Sequence, residues 1–114
     1  MIIDFKNMDT TVLPNFKGGE KELAANMFFD GTNRIFKGTL TPGATIGMHT
    51  HDGSSEVIFI IEGEGTIVER EPESSEETAS PVSAGDCLYC PEGHSHSLQN
   101  TSKEGNLVFY AVVF

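Results

Sequence analysis

The stretch Gly43-Ala-Thr-Ile-Gly-Met-His49-Thr-His51-Asp-Gly-Ser-Ser-Glu56-Val-Ile-Phe-Ile-Ile-Glu-Gly63 decides how the chain is read. His49 and His51 are separated by one residue. On a β-strand, side chains two apart share a face, so both imidazoles can reach one point. The polar loop Asp52-Gly53-Ser54-Ser55 follows. Glu56 then opens an apolar run, Val57 to Ile61, that closes at Glu62-Gly63. A turn back at Asp52-Gly53 brings Glu56 beside the two histidines. Two imidazoles and a carboxylate form a donor set that divalent transition metals accept.

Further along lies Gly85-Asp-Cys-Leu-Tyr-Cys-Pro91-Glu-Gly93-His94-Ser-His96-Ser-Leu-Gln-Asn100. It reads as a strand, a Pro-Glu-Gly turn and a second strand beginning near His96. The two stretches together resemble the cupin family. Its first motif runs Gly, five residues, His-x-His, three or four residues, Glu, six residues, Gly. Gly43, His49, His51, Glu56 and Gly63 match it. The second motif runs Gly, five residues, Pro-x-Gly, two residues, His, three residues, Asn. Gly85, Pro91, Gly93, His96 and Asn100 match that one. Agreement at this many fixed positions is far more specific than a lone His-x-His. Residues 64–84, between the motifs, are more numerous than in the shortest family members, and an acidic tract over 69–80 accounts for the excess.

The resemblance implies an all-β fold, a double-stranded β-helix or small jelly roll, with the two motifs on strands that face each other across its interior. It adds His96 to His49, His51 and Glu56 as a fourth ligand. The implied cofactor is one divalent transition metal ion: Fe, Mn, Ni, Co or Zn. Calcium and magnesium prefer all-oxygen shells. One or two positions on such an ion remain open to water or a chelating substrate. His94 lies two residues before His96 at a place the motif leaves open. It is a catalytic candidate, as a proton donor or substrate contact at the barrel mouth. The competing reading is a histidine on a surface turn.

Composition bounds the remaining classes. The chain of 114 residues is expected to form one domain over 1–114, with 38% apolar residues. Its net charge of −10 argues against nucleic acid and against an anionic membrane surface. No stretch approaches the roughly 20 apolar residues of a transmembrane helix. The start, Met-Ile-Ile-Asp-Phe-Lys, does not read as a signal peptide, so a cytoplasmic location is expected. Cys87 and Cys90 have Cys-x-x-Cys spacing, but no second pair exists. In an extended segment their side chains point to opposite faces, so buried free thiols are expected.

Along the chain, Ile2 to Phe5 reads as a short first strand and residues 7–22 as irregular. Glu20–Ala25 is a weak helix candidate. Met27–Phe29 and Arg34–Leu40 read as strands around an Asp30-Gly31 turn. Glu56–Ile61 and Thr66–Arg70 form a hairpin through Glu62-Gly63-Glu64-Gly65. Residues 71–80 read as a loop, Cys87–Cys90 and Ser95–Gln99 as strands, and the apolar end from Asn106 to Phe114 as a last strand. Phe36, Phe59, Tyr89, Phe109 and Tyr110 are assigned to a core or a dimer interface. Both faces of Val57–Ile61 and of Leu107–Phe114 are apolar, which suggests a homodimer.

The function expected is a metal-dependent enzyme of dioxygenase, isomerase or decarboxylase type. Its substrate would be a small oxygen-rich organic molecule chelated to the metal. The alternative is a non-catalytic module that binds a small ligand with the metal as its anchor.

Overall fold

The computed structural model describes all residues, 1–114, and contains almost only strands. They are β1 (Thr11–Pro14), β2 (Glu22–Phe29), β3 (Arg34–Leu40), β4 (His49–Thr50), β5 (Glu56–Glu62), β6 (Glu64–Arg70), β7 (Thr78–Ser83), β8 (Cys87–Cys90), β9 (Ser95–Gln99) and β10 (Leu107–Val113). A six-stranded sheet has the order β1-β2-β3-β10-β5-β8, and a four-stranded sheet has the order β4-β9-β6-β7. Every strand pairing is antiparallel. This is the expected jelly roll, with each motif contributing one strand to each sheet. No helix is long and apolar enough to cross a membrane.

Alternation along each strand sorts the core from the outside. On β5, Glu56, Ile58 and Ile60 are buried while Phe59 and Ile61 are exposed. The register aligns the inward rows across the sheet. Leu23, Leu40 and Leu107 share one row, and Met27, Phe36, Ala111, Ile58 and Leu88 share another. The four-stranded sheet adds Ile67, Val82 and Leu98 from the opposite side. Phe109 is fully buried, with its ring edge-on to Phe36 at 5.9 Å.

The turns follow from the glycines. Gly63 has a φ of +89°, and a Cβ there would strike the carbonyl oxygen of Asn106, so the β5–β6 hairpin requires glycine. Asn100 follows β9 directly and is buried. Its amide nitrogen donates to the carbonyls of Leu40 (2.8 Å) and Gly105 (3.0 Å). Its side-chain oxygen accepts from the backbone N–H (3.1 Å) and hydroxyl (2.8 Å) of Ser102. It thereby closes the loop that leads into β10.

Several expectations are corrected. Ile2–Phe5 is not a strand. Phe5 begins a 3-10 turn over Phe5–Asn7, and its ring packs 5.7 Å from that of Tyr110. Residues 7–22 are not wholly irregular, because β1 lies within them and pairs with β2. The helix candidate Glu20–Ala25 is mostly strand. Pairing with β1 on one side and β3 on the other overrides the helical propensity of Glu-Leu-Ala-Ala. The loop expected over 71–80 ends earlier, since Thr78–Ser80 pair with β6. Cys87 and Cys90 do face opposite ways, but Cys87 is exposed and only Cys90 is buried. Phe59 and Tyr89 are exposed outside the six-stranded sheet, whereas Phe36 and Phe109 belong to the core.

Candidate metal centre

The His strand is shorter than the spacing argument requires. β4 covers only His49 and Thr50, so His51 lies beyond its end. Backbone bonds to the Pro91–His94 turn hold it in line. The His51 N–H donates to the His94 carbonyl (3.0 Å), and the Gly93 N–H donates to the His51 carbonyl (2.7 Å). His49 pairs directly with His96 on β9. Glu56, first residue of β5, occupies the inward row with Val113 and Cys90.

The side chains of His49, His51, Glu56 and His96 therefore converge. Their candidate ligand atoms all lie within 4.8 Å of one another. The ring centroids of His49, His51 and His96 form a nearly equilateral triangle of 5.0, 4.8 and 4.9 Å. Glu56 Oε1 lies 2.7 Å from His96 Nε2 and 3.1 Å from His51 Nε2, and those two nitrogens are 3.0 Å apart. Donors bound at about 2.1 Å to one ion, at right angles, stand about 3 Å from each other. The donor set and its spacing fit a divalent transition metal.

The supporting groups fit as well. The His49 Nδ1–H donates to the Gly47 carbonyl at 2.8 Å. A carbonyl can only accept, so the lone pair of His49 sits on Nε2. His51 Nδ1 lies 3.2 Å from the Ser54 hydroxyl. Such partners orient imidazoles toward a metal. Burial pushes His49 down to about 4, so it is neutral at pH 7. Burial alone would raise Glu56, but its hydrogen bonds to His51 and His96 bring it down to about 2, leaving a carboxylate. Neutral imidazole and ionised carboxylate are the forms that coordinate.

A cleft of about 510 Å³ opens over this cluster. His49, His51 and Glu56 reach its surface, whereas His96 is buried and is not part of the lining. One wall is apolar, formed by Leu13, Phe16, Met27, Phe36 and Val113, and Lys17, Arg34 and Asp52 supply charge. His94 does not join them. Strand β9 begins only at Ser95, and the Pro-Glu-Gly turn directs His94 into a second depression with Tyr89, Pro91 and Glu69. Sequence reading missed Gly47, Ser54, Lys17 and Arg34. Ser54 could have been suspected from its place in the polar loop after His51. Lys17 and Arg34 carry no local signal, because only the closed barrel brings them to the cleft.

Residues 36–113 match the Cupin domain family. The chain belongs to the cupin family. An oxalate-binding protein of Thermotoga maritima is 29% identical over 99% of this chain and 93% of its own length. The crystal structure of a predicted oxalate decarboxylase from the same organism superposes with a TM-score of 0.85, at 27% identity over 100% of this chain and 98% of that one. A germin-like protein of Morus alba is 35% identical over 63% of this cupin, corresponding to 34% of the germin-like chain.

Proposed function

We propose that this cupin holds one divalent transition metal ion on His49, His51, Glu56 and His96 and binds a small organic acid at the positions the ion leaves open. The observation that carries the reading is the convergence of three imidazoles and an ionised carboxylate beneath an open cleft, with His51, His96 and Glu56 about 3 Å apart and all four donors within 4.8 Å. The names of the Thermotoga maritima relatives, an oxalate-binding protein and a predicted oxalate decarboxylase, point to the same ligand chemistry.

When bound, the ion supplies Lewis-acid chemistry toward a chelated carboxylate and, if it is iron, dioxygen chemistry. The chain's own residues do the rest. Gly47 and Ser54 hold the imidazole orientations. The apolar wall excludes water from one side of the cleft, and Lys17 and Arg34 offset the charge of an incoming anion. His94 has no part in this reading, since it opens on another depression. The same site serves an enzyme of decarboxylase, dioxygenase or isomerase type, or a non-catalytic binder anchored by metal.

The experiment is reconstitution with Fe, Mn, Co, Ni and Zn salts, followed by calorimetry with oxalate and assays of carbon dioxide release and dioxygen uptake. Metal-dependent oxalate binding with turnover supports the enzyme. Metal-dependent binding without turnover supports the binder. Failure of every metal to bind overturns both. As a further part of the reading, two copies associate through the outer face of the six-stranded sheet, where Phe59, Ile61 and Tyr89 are exposed.

A further inference from the structure

The cleft lining is balanced in charge, two cations to two carboxylates, whereas the whole chain is strongly acidic. Seventeen acids outnumber seven bases overall. In the cleft lining, Lys17 and Arg34 face only Asp52 and Glu56, and Glu56 is already engaged by His51 and His96. No carboxylate lies within 4.0 Å of the Lys17 ammonium or the Arg34 guanidinium. Each cation lies instead over an aromatic ring. Lys17 Nζ is 5.5 Å from the Phe16 centroid, and Arg34 Cζ is 5.0 Å from the Phe29 centroid.

The distance of Arg34 from the metal donors follows from the register. Arg34 and Glu56 are both Cα partners of Val113, one on each side of β10. Two strand spacings place their backbones about 10 Å apart along one inward row. Phe29, whose ring receives the guanidinium, is the Cα partner of Arg34 on β2, farther from Glu56. The guanidinium therefore leans away from the ligand cluster. Lys17 is held by its backbone. The Gly47 N–H donates to the Phe16 carbonyl (3.0 Å), and a Cβ at Gly47 would strike the Lys17 carbonyl oxygen. Lys17 itself is left-handed, with a φ of +56°, a strained conformation that the packing fixes.

The apolar wall of Leu13, Phe16, Met27, Phe36 and Val113 lines the same cleft as the cluster and the two cations. The cleft volume of about 510 Å³ suits a typical small-molecule ligand, in a range of roughly 300–1,000 Å³. Oxalate consists of two linked carboxylates with no body between them. Chelated at the floor, it leaves the wall and both cations uncovered.

We propose that the preferred ligand is an elongated organic acid with two anionic ends. This inference rests on the metal-site reading above. An α-keto or α-hydroxy carboxylate chelates at the His/Glu cluster, an aliphatic or aromatic body lies on the apolar wall, and a second carboxylate meets Arg34 and Lys17. Arginine suits that end because its planar fork pairs with a carboxylate in two parallel hydrogen bonds.

The test uses the full chain loaded with Co(II), whose visible absorption reports chelation, and calorimetry, which reports affinity. The probes are oxalate, α-ketoadipate, and α-ketohexanoate, which has the same length as α-ketoadipate but lacks its terminal carboxylate. All three acids should perturb the Co(II) spectrum, and α-ketoadipate should bind about tenfold or more tightly than α-ketohexanoate, as a charge-assisted hydrogen-bonded pair gives. Arg34→Gln together with Lys17→Gln should erase that difference, while oxalate should still perturb the Co(II) spectrum because none of the four chelating residues is changed. Both residues are exposed, so the variant should melt like the parent. Equal affinity for the two matched acids in the parent, or a difference that survives in the double variant, overturns the inference. If no acid perturbs the Co(II) spectrum, the metal-site reading fails. The calorimetric difference between the matched acids, and its loss in the double variant, then still decides the anionic subsite.

Discussion

His49 and His96 are opposed Cα partners on β4 and β9, with ring centroids 4.8 Å apart. One residue comes from each motif, so the pairing of these two strands builds half of the donor set. The backbone ladder, and not a flexible loop, sets that distance. The site should therefore be preorganised, and purified or reconstituted protein should carry close to one transition metal ion per chain by emission analysis. His51→Ala should weaken binding by more than the roughly 10–100-fold typical of losing a supporting hydrogen bond. Ser54→Ala, which removes the partner of His51 Nδ1, should fall near the lower end of that range. Cys87→Ala should change nothing. Equal metal content in the His51→Ala and parent proteins would refute the assignment.

Asn100 tests the motif at a position with no chemistry to perform. Its side chain joins the end of β3, the end of β9 and the loop before β10 through four hydrogen bonds. Asn100→Ala leaves the buried Leu40 carbonyl without this donor. The expected cost is roughly 2–3 kcal/mol in urea unfolding. Metal affinity should be unchanged, because the side chain contacts none of the four ligands.

The same contrast explains what the sequence made legible. Gly63, Asn100 and the histidine spacing are set by local demands: a left-handed turn, a loop closure, a shared strand face. Such demands leave fixed residue types at fixed intervals. Glu20–Ala25 misleads because its local propensity is helical while its partners on β1 and β3 lie elsewhere in the chain. In Ile2–Phe5 it is Phe5 that covers Tyr110 while Ile2 stays exposed, and apolarity alone does not distinguish covering from pairing. The alternation of Cys87 and Cys90 was readable, but which of them meets solvent depends on which face of β8 turns to the core, and that face carries Cys90. Lys17 and Arg34 reach the cleft from segments outside both motifs, so no spacing rule could find them.

The two cysteines should differ sharply in reactivity. Cys87 is exposed. Cys90 is buried, and burial, reinforced by the charges of Glu56 and Glu69, raises its thiol to about 11. The thiolate is the reactive form. At pH 8 a small thiol reagent should modify Cys87 within minutes and Cys90 only on unfolding. Mass spectrometry showing equal labelling of both in the native protein would contradict this placement.

The outer face of the six-stranded sheet gives the association prediction its test. Tyr89 pairs with Val57, and Phe59 pairs with Tyr110, so their outward side chains adjoin across β8, β5 and β10. Tyr89 and Phe59 are both about half exposed, at 55% and 46%. Light scattering at micromolar concentration should give the mass of a dimer. Tyr89→Glu should shift it toward the monomer without changing the fold. A monomer mass for the parent protein would end this reading.

Acid should act on the site before it acts on the sheets. His49 titrates near 4 in the fold against an ordinary value of 6.5. As pH falls below 6.5 the unfolded chain takes up that proton first, so the metal-free fold loses stability down to about 4. Glu56 titrates near 2 against an ordinary 4.5. It stabilises the fold above 4.5, and that contribution is lost as pH falls from 4.5 toward 2. Both groups act in the same direction, so urea midpoints of metal-free protein should decline steadily from pH 7 to 4. Glu56→Gln should flatten the lower part of that decline. In the loaded protein, protons compete with the ion for imidazole and carboxylate, and release is expected at roughly pH 4–6. The β signal in far-ultraviolet dichroism should persist through release, because the fourteen-residue apolar core contains none of the four ligands. Metal content, dichroism and urea midpoint measured on the same samples decide the matter. Collapse of the sheets together with metal loss would make the ion structural and remove the main support for an open, substrate-binding position.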